Sequence, residues 1–360
     1  MGLTMRAPAD GGRSPAAASE LEVRTDVPPA EWDAYVAARP EATMYHRSAW
    51  AAVIRNAFGH ASLPLAAVER GRVVGLLPVV FFNTPLFGRF AVSMPFLNYG
   101  GIVADSPAAG RALLAAAIAA TREARGAYLE LRHTRRMFDE LAVQTHKVSM
   151  LLPLERSVDA QWTGLDRKLR NQIRKAEKSN LTVRCGGVDL LDAFYDVLAE
   201  NMRDLGSPVQ SRRFYDEILK AFPDRSRLLT VWLDNRPVAA SCVVWHGDRM
   251  EVPWASSLRR YNPLCPNVLL YWEMLKFAIG QGVVTFDFGR STPLEGTYQF
   301  KAQWGAEAQP LYWEYWLAEG ARLPDRSPTN RKFEAVIAVW QRLPVAVTRA
   351  LGPRIVRDIP

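Results

Sequence analysis

The 360-residue chain is longer than one hydrophobic core ordinarily serves, which argues for two domains, and its 49% hydrophobic and 23% charged residues are ordinary for a soluble globular protein. Three cysteines (Cys185, Cys242 and Cys265), with no CxxC and no histidine cluster near them, exclude a disulfide framework and a structural zinc site and fit a reducing compartment. A formal net charge of +8 favours anionic partners such as phosphates, RNA or acidic lipid, without choosing among them.

Residues 1–19, rich in Gly, Ala, Ser and Pro, read as a disordered leader that lacks the apolar run of a signal peptide. The longest apolar run, 112–120, falls short of the ~20 residues that cross a bilayer. The expected location is therefore the cytoplasm, with peripheral contact at the inner face of the plasma membrane left open. Past the leader, Pro28 and Pro29 precede a helix through Trp32 and Tyr35, and a second helix is expected over 48–58. Strand-like runs at 65–69 and 72–82 flank Arg70-Gly71, a hairpin turn. An Ala/Leu-rich helix over 107–125 leads into a strand at 127–131, and a strand at 147–152 closes the first half.

The second half repeats this order. Helices are expected at 165–179, 189–205 and 211–222, strands at 228–233, 238–245 and 249–256, a helix over 268–279, and a strand at 283–288. GRVVGLLPVVF from Gly71 aligns without gaps with NRPVAASCVVW from Asn235, and RGAYLELR from Arg125 parallels QGVVTFDFG from Gln281. A duplicated α/β unit explains both matches. The expected division is a first domain over 20–150, a second over 151–320 and a basic amphipathic tail over 321–360.

Chemistry concentrates in a few segments. In LDRKLRNQIRKAEK, Leu165, Leu169, Ile173 and Ala176 fall on one helical face, while Arg167, Arg170, Arg174 and Lys178 fall on the other. Such a face is either solvated or a footprint for a polyanion. The stretch FDFGRSTPLEGTYQFKAQWG carries a buried strand into a Gly- and aromatic-rich loop at a strand's carboxyl end, where α/β sheets place ligands. There Arg290 and Lys301 are suited to grip phosphate, and Tyr298 is one of the aromatics that wall off water. MPFLNYGG offers Tyr99 beside two glycines, as a ligand loop or a plain turn. His46 stands alone ahead of a helix, the usual setting of a structural or surface histidine. No GxSxG, P-loop or HExxH occurs, so no catalytic base and no metal ligand is singled out.

KLRNQIRKAEKSNLTV, NMRDLGSPVQSRRFYDEIL and FDFGRST…GTYQFKAQWG resemble, in order and spacing, the second domain of FemAB-like proteins. The likeness extends from about residue 20 to residue 317 and looks closest to the FemAB-like subgroup associated with exosortase and PEP-CTERM exopolysaccharide systems. It implies an α/β (α+β) fold of tandem GNAT-like domains, each a mixed sheet flanked by helices, with the acceptor site in a cleft between them. Characterised members of that family transfer an amino acid from aminoacyl-tRNA to an amine of a peptidoglycan precursor. On that resemblance Lys301 matches an FK motif and holds precursor phosphates, while Arg203, Arg213 and Tyr215 lie in the segment of acceptor contacts. Trp254 stands where relatives carry an aromatic near the cleft, and Arg55 follows from a looser match.

The resemblance further implies acyl transfer to an amine of a phosphate-linked envelope or polysaccharide precursor. No bound cofactor is expected, and the co-substrate is aminoacyl-tRNA or acyl-CoA. The glycine loop with which CoA-dependent relatives cradle pyrophosphate is absent before 107 and 268, and so is the helical arm of some tRNA-dependent ones. A CoA-dependent sugar N-acetyltransferase and a non-catalytic double-GNAT protein that binds precursor are the alternatives; oligomeric state stays open. In the tail, Phe333, Val336, Ile337 and Trp340 follow helical spacing among arginines, suited to docking on a membrane or on the protein body.

Overall fold

The structure, a computed structural model, describes residues 21–85, 87–324 and 331–360, with only the main chain for 331–334. The leader expected over 1–19 and the side chain of Phe333 lie outside the described residues. β1 (Leu21–Arg24) is followed by α1 (Pro29–Ala37), which opens on a proline at a position where the missing N–H costs nothing. α2 (Trp50–Phe58) stops at Gly59, whose φ of 78° a side chain would resist. Arg70 and Gly71, at φ 52° and 72°, make the tight turn between β2 (Ala61–Glu69) and β3 (Arg72–Thr84). β4 (Gly88–Val92) and β5 (Val103–Ala104) precede α3 (Pro107–Glu123), whose N-cap Ser106 accepts from the Ala109 amide. β6 (Tyr128–His133) and β7 (Ala142–Gln144) follow.

β8 (Val148–Pro153) is the last strand of the first half, and the second half opens with α4 (Val158–Gly164) and α5 (Arg167–Glu177). In α5 the apolar spacing buries Leu169, Ile173 and Ala176 and turns the cations outward. Next come β9 (Leu181–Gly186), α6 (Leu191–Asp204), α7 (Arg212–Ala221), β10 (Ser226–Leu233), β11 (Arg236–His246) and β12 (Arg249–Ser257). α8 (Pro266–Gly280), β13 (Thr285–Ser291), α9 (Gly296–Ala302), β14 (Glu307–Pro310) and β15 (Tyr312–Leu317) complete the body. The tail forms α10 (Arg331–Arg342) and α11 (Val345–Val356).

The strands pair as β1-β2-β3-β4-β6-β15-β7, with β5 on β3, and as β14-β8-β13-β12-β11-β10-β9. Read from β9, the second order repeats the first place by place, and β3 and β11 hold equivalent positions, as their sequence match requires. In both sheets two parallel strands meet at the centre, β4 with β6 and β12 with β13. The expected domain division needs correction here. The strand at 147–152 ends the first half but does not join its sheet: β8 hydrogen-bonds to β13 and β14 in the second sheet. β15, expected inside the second domain, lies between β6 and β7 in the first. Periodicity marks a strand without saying which sheet takes it. The chain crosses between sheets at 145–147 and again at Leu311, and the crossings are tied by Leu311 N–H donating to Lys147 O at 3.1 Å.

A hydrophobic cluster also spans the halves, joining Trp50 and Phe58 of α2 to Phe214 and Phe222 around α7, with Phe58–Phe214 centroids at 4.9 Å and Trp50–Phe222 at 5.2 Å. The tail packs on α6. Arg203 donates to Leu343 O, Gln341 donates to Asp204 O, and Ile337 sits where a side chain on Gly206 would lie 2.4 Å from it. A fragment cut at the expected boundaries, 151–320, would carry β15 without its sheet and lack part of β8. It is expected to show no cooperative thermal transition by circular dichroism, whereas the full chain melts as one unit. A cooperative melt of that fragment would contradict the exchange.

Candidate active site at the seam

The parallel pairing of β12 and β13 covers only Arg249–Glu251 against Thr285–Asp287, after which the strands diverge. Glu251 and Asp287 are register partners at this fork, on the face opposite Met250, Val252, Phe286 and Phe288, which enter the second core. Two buried carboxyls side by side repel in their charged forms. Burial first, and the Asp287 charge second, push the Glu251 pKa up to about 8. Asn98 donates to Glu251 Oε1 at 2.6 Å. Tyr45, whose hydroxyl makes no well-formed hydrogen bond, lies close enough to favour the charged carboxylate.

Asp287 is held differently. Its Oδ1 accepts from Ser149 at 2.7 Å and from the Gly289 amide at 2.8 Å, and its Oδ2 accepts from the Tyr99 hydroxyl at 2.6 Å. Arg249 stands 3.3 Å from the same oxygen. Burial lowers the Arg249 pKa, but Asp287, Tyr99 and Glu251 outweigh it and the net shift is upward. Tyr99 comes from the first half, Ser149 from β8 and Asp287 from β13, so this carboxylate ties the halves together. The loop carrying Asn98 and Tyr99 is pressed against β6: a Cβ on Gly101 would stand 2.1 Å from His133 Cδ2 and 2.9 Å from Arg132 O. The two glycines thus allow approach to the protein's own chain. His133 Nδ1 meets Glu314 of β15 at 2.5 Å, and Glu314 also accepts from the Met137 and Phe138 amides. His133 Nε2 is buried and has no hydrogen-bond partner among the described residues.

Two cavities of about 160 and 420 Å³ flank Tyr99 and Arg249. Both are walled by Pro40 and Thr43; the smaller reaches His46, His133 and Arg135, the larger Glu251, His246 and Asp248. They are neighbours that share Pro40, Thr43, Tyr99 and Arg249 as walls and are together called the groove; the Arg249 cation lines both, and the Glu251 carboxyl of raised pKa lines the larger.

Of the residues expected from sequence, Tyr99 alone lines this groove. Arg290 reaches solvent nearby, 4.9 Å over the Trp313 ring; crowding by protein, then by Arg132, pulls its pKa down to about 10. Lys301 is buried, with its ammonium donating to Gly289 O and Arg290 O at 3.0 Å each, so it braces the end of β13. Its pKa falls to about 8, chiefly by desolvation. Tyr298 packs on the second core. Tyr215 and Trp254 are buried against each other, centroids 5.3 Å apart, and Tyr215 donates to Gln210. Arg203 fastens the tail, Arg213 is exposed near Glu217, and Arg55 is exposed. Arg167, Arg174 and Lys178 project into solvent with Arg170 half-buried, so the basic face of α5 is open, and none of the four lines the groove. His46 is structural: its Nε2 meets Gly101 O at 2.9 Å, and burial lowers its pKa to about 4. Glu251, Ser149, Arg249, His133 and Glu314 were not singled out by sequence. Their signal was a polar residue inside an otherwise apolar strand, as in RMEVPW and FDFG.

A family model described as an acetyltransferase (GNAT) domain matches residues 165–302. No curated protein sequence matches the chain. Among solved structures, FemX superposes with a TM-score of 0.66 at 16% identity, covering 81% of this chain and 96% of FemX. The C-terminal domain of a putative lysylphosphatidylglycerol synthetase from Agrobacterium fabrum superposes with a TM-score of 0.55 at 12% identity, covering 81% and 92%. L-PGS from Bacillus licheniformis gives 0.50 at 10%, covering 78% and 86%. At these identities the likeness is one of fold. The fold is a tandem of two GNAT-like α/β units, and the match to the GNAT acetyltransferase domain falls in the second.

Because Glu251 binds its proton more tightly in the folded protein (about 8) than at its ordinary value of 4.5, its contribution to stability is full below 4.5 and lost as pH rises through 8. Urea unfolding from pH 5 to 9 is expected to show that loss in the native protein and a flatter profile in Glu251→Gln. Identical slopes in the two would exclude the shift.

Proposed function

We propose that this protein is an N-acyltransferase that moves an acyl or aminoacyl group from an activated donor to an amine of a phosphate-bearing envelope or exopolysaccharide precursor. The observation that carries this reading is the Glu251 carboxyl, poised near pH 8 beside Arg249 in the wall of the groove. In the reaction, the ionised Glu251 takes a proton from the acceptor's ammonium, and the neutral amine attacks the donor carbonyl. A C–N bond forms, the C–O or C–S bond of the donor breaks, the proton that the nitrogen still carries passes to the leaving oxygen or sulfur, which departs as alcohol or thiol, and Glu251 gives its proton back to solvent; Arg249 is placed to stabilise the oxyanion. Arg290 and Lys147, both without an ion pair among the described residues, offer the precursor's phosphate a cationic wall.

The match over 165–302 favours acyl-CoA as donor. No glycine loop opens α8, which begins at Pro266 after Cys265 in the left-handed region, so the donor's phosphates need other partners. With acetyl-CoA and an amino-sugar nucleotide as probes, thiol release is expected to rise with pH through about 8, as Glu251 ionises. Glu251→Gln is expected to lose ~10²-fold or more in turnover together with that pH limb. Unchanged turnover in a folded Glu251→Gln protein would remove the carboxyl from the mechanism.

A second reading of the donor, aminoacyl-tRNA, rests on the open cationic face of α5. Replacing Arg167, Arg170 and Arg174 by Gln keeps helix propensity and is expected to weaken tRNA binding and flatten its salt dependence. Equal binding across a salt series would leave α5 a solvated helix and acyl-CoA the donor.

A further inference from the structure

Five of the eleven large hydrophobic side chains exposed among the described residues fall on α10 and α11: Val336 (61%), Val339 (59%), Val347 (37%), Leu351 (41%) and Ile355 (44%). Such side chains scattered singly are normal on a surface, but a cluster marks a contact face. The tail's attachment to the body does not use them. Ile337, Trp340, Thr348, Gly352 and Val356 turn towards α6 and its following loop, with Gly352 pressed on the Val209 main chain. Val347, Leu351 and Ile355 recur every four residues in a stripe about 100° round α11 from the packed one, and Val336 and Val339, three residues apart, lie likewise beside the packed stripe of α10. Both helices therefore carry a second apolar stripe that the body leaves exposed.

The charge around the outward face has one sign. Residues 335–360 hold four arginines and a single acid, Asp358, which lies 3.6 Å from Arg357. Arg349 is engaged by Asp196 at 2.5 Å, whereas Arg342 and Arg354 are exposed without an ion pair among the described residues. The acids of the neighbouring α6 do not oppose this charge. Asp196 is neutralised by Arg349, Asp204 by Arg203 at 2.6 Å, Glu200 by Arg260 and Asp192 by Arg212. A second copy of the chain docking through the same face would bring Arg342 and Arg354 against their own images. An anionic bilayer meets both features, with headgroups for the arginines and an acyl boundary for the aliphatics.

We propose that the outward face of α10 and α11 is a peripheral membrane contact that lies in the headgroup region of an anionic lipid surface. Among the described residues no helix is long and apolar enough to cross a bilayer, so the contact is in-plane. The basic face of α5 does not add to it. α5 packs with α8 on the side of the second sheet that presents Leu229, Val231 and Val243, whereas α6 and the tail cover the side that presents Leu228, Ala240 and Cys242.

The test uses the full chain with vesicles of phosphatidylcholine alone and of phosphatidylcholine with phosphatidylglycerol. Co-sedimentation is expected with the anionic vesicles at low salt and release as salt rises. Leu351→Asp with Ile355→Asp, both at exposed positions, is expected to keep the thermal melt and to cut partitioning by about tenfold or more. Arg342→Gln with Arg354→Gln is expected to remove the preference for phosphatidylglycerol. The proposal is overturned if the native chain fails to sediment with anionic vesicles, or if the aspartate variant binds them as well as the native chain. It is equally overturned if that variant changes only a concentration-dependent self-association seen by sedimentation velocity.

Discussion

β8 and β15 each hydrogen-bond in the sheet of the other half, and the rest of the structure depends on this exchange. Either sheet without its borrowed strand is split, because β15 bridges β6 to β7 and β8 bridges β13 to β14. The crossings bring Ser149 and Glu314 to the seam, one against Asp287 and the other against His133. The aromatic cluster across α2 and α7 removes the freedom that a polar domain interface would leave. The groove is therefore built from elements of both halves, which together orient its polar groups.

Duplication explains why the titratable pair falls in the second half. Both central parallel pairs place a buried acid on the inner strand: Glu130 stands opposite Val92, and Asp287 stands opposite Glu251. In the first half that acid is answered within its own strand by Arg132, with guanidinium and carboxylate 2.8 Å apart and Arg132 stacked at 4.4 Å over Trp313. In the second, the corresponding neighbour is another carboxyl, and the cation is the shared Arg249. A buried acid matched by one cation is a structural pair, whereas two acids sharing one cation leave a proton with a pKa near neutrality. The same ancestral register thus gives a closed pair on one side and a titratable one on the other.

Much of the fold was legible in the sequence because it rests on local periodicity. The hairpin at Arg70-Gly71, the buried ridge of α5 and the match of β3 with β11 all follow from apolar spacing and turn chemistry. The destination of β8 and β15 was not legible, since alternation is the same whichever sheet receives a strand. The candidate site was legible only in part. Tyr99 and the stretch after β13 stood out by composition, but Lys301 braces main-chain carbonyls and Trp254 fills a core, roles that burial decides and sequence does not display. Glu251 drew no attention because a lone acid in a strand is ordinary. Its significance arises from register with Asp287, a pairing between strands separated by a whole helix.

Glu251, at the fork of β12 and β13 beside the Asp287 that Ser149 of β8 holds, keeps its proton at neutral pH. Carbon-detected NMR of the glutamate side-chain carboxyls, followed from pH 5 to 10, measures this without a substrate. One resonance is expected to titrate near 8, to disappear in Glu251→Gln and to move to lower pH in Asp287→Asn, where the repelling charge is gone. If every glutamate has finished titrating by about pH 6, a range that covers ordinary carboxyls, Glu251 is an ordinary anion and holds no proton at neutral pH.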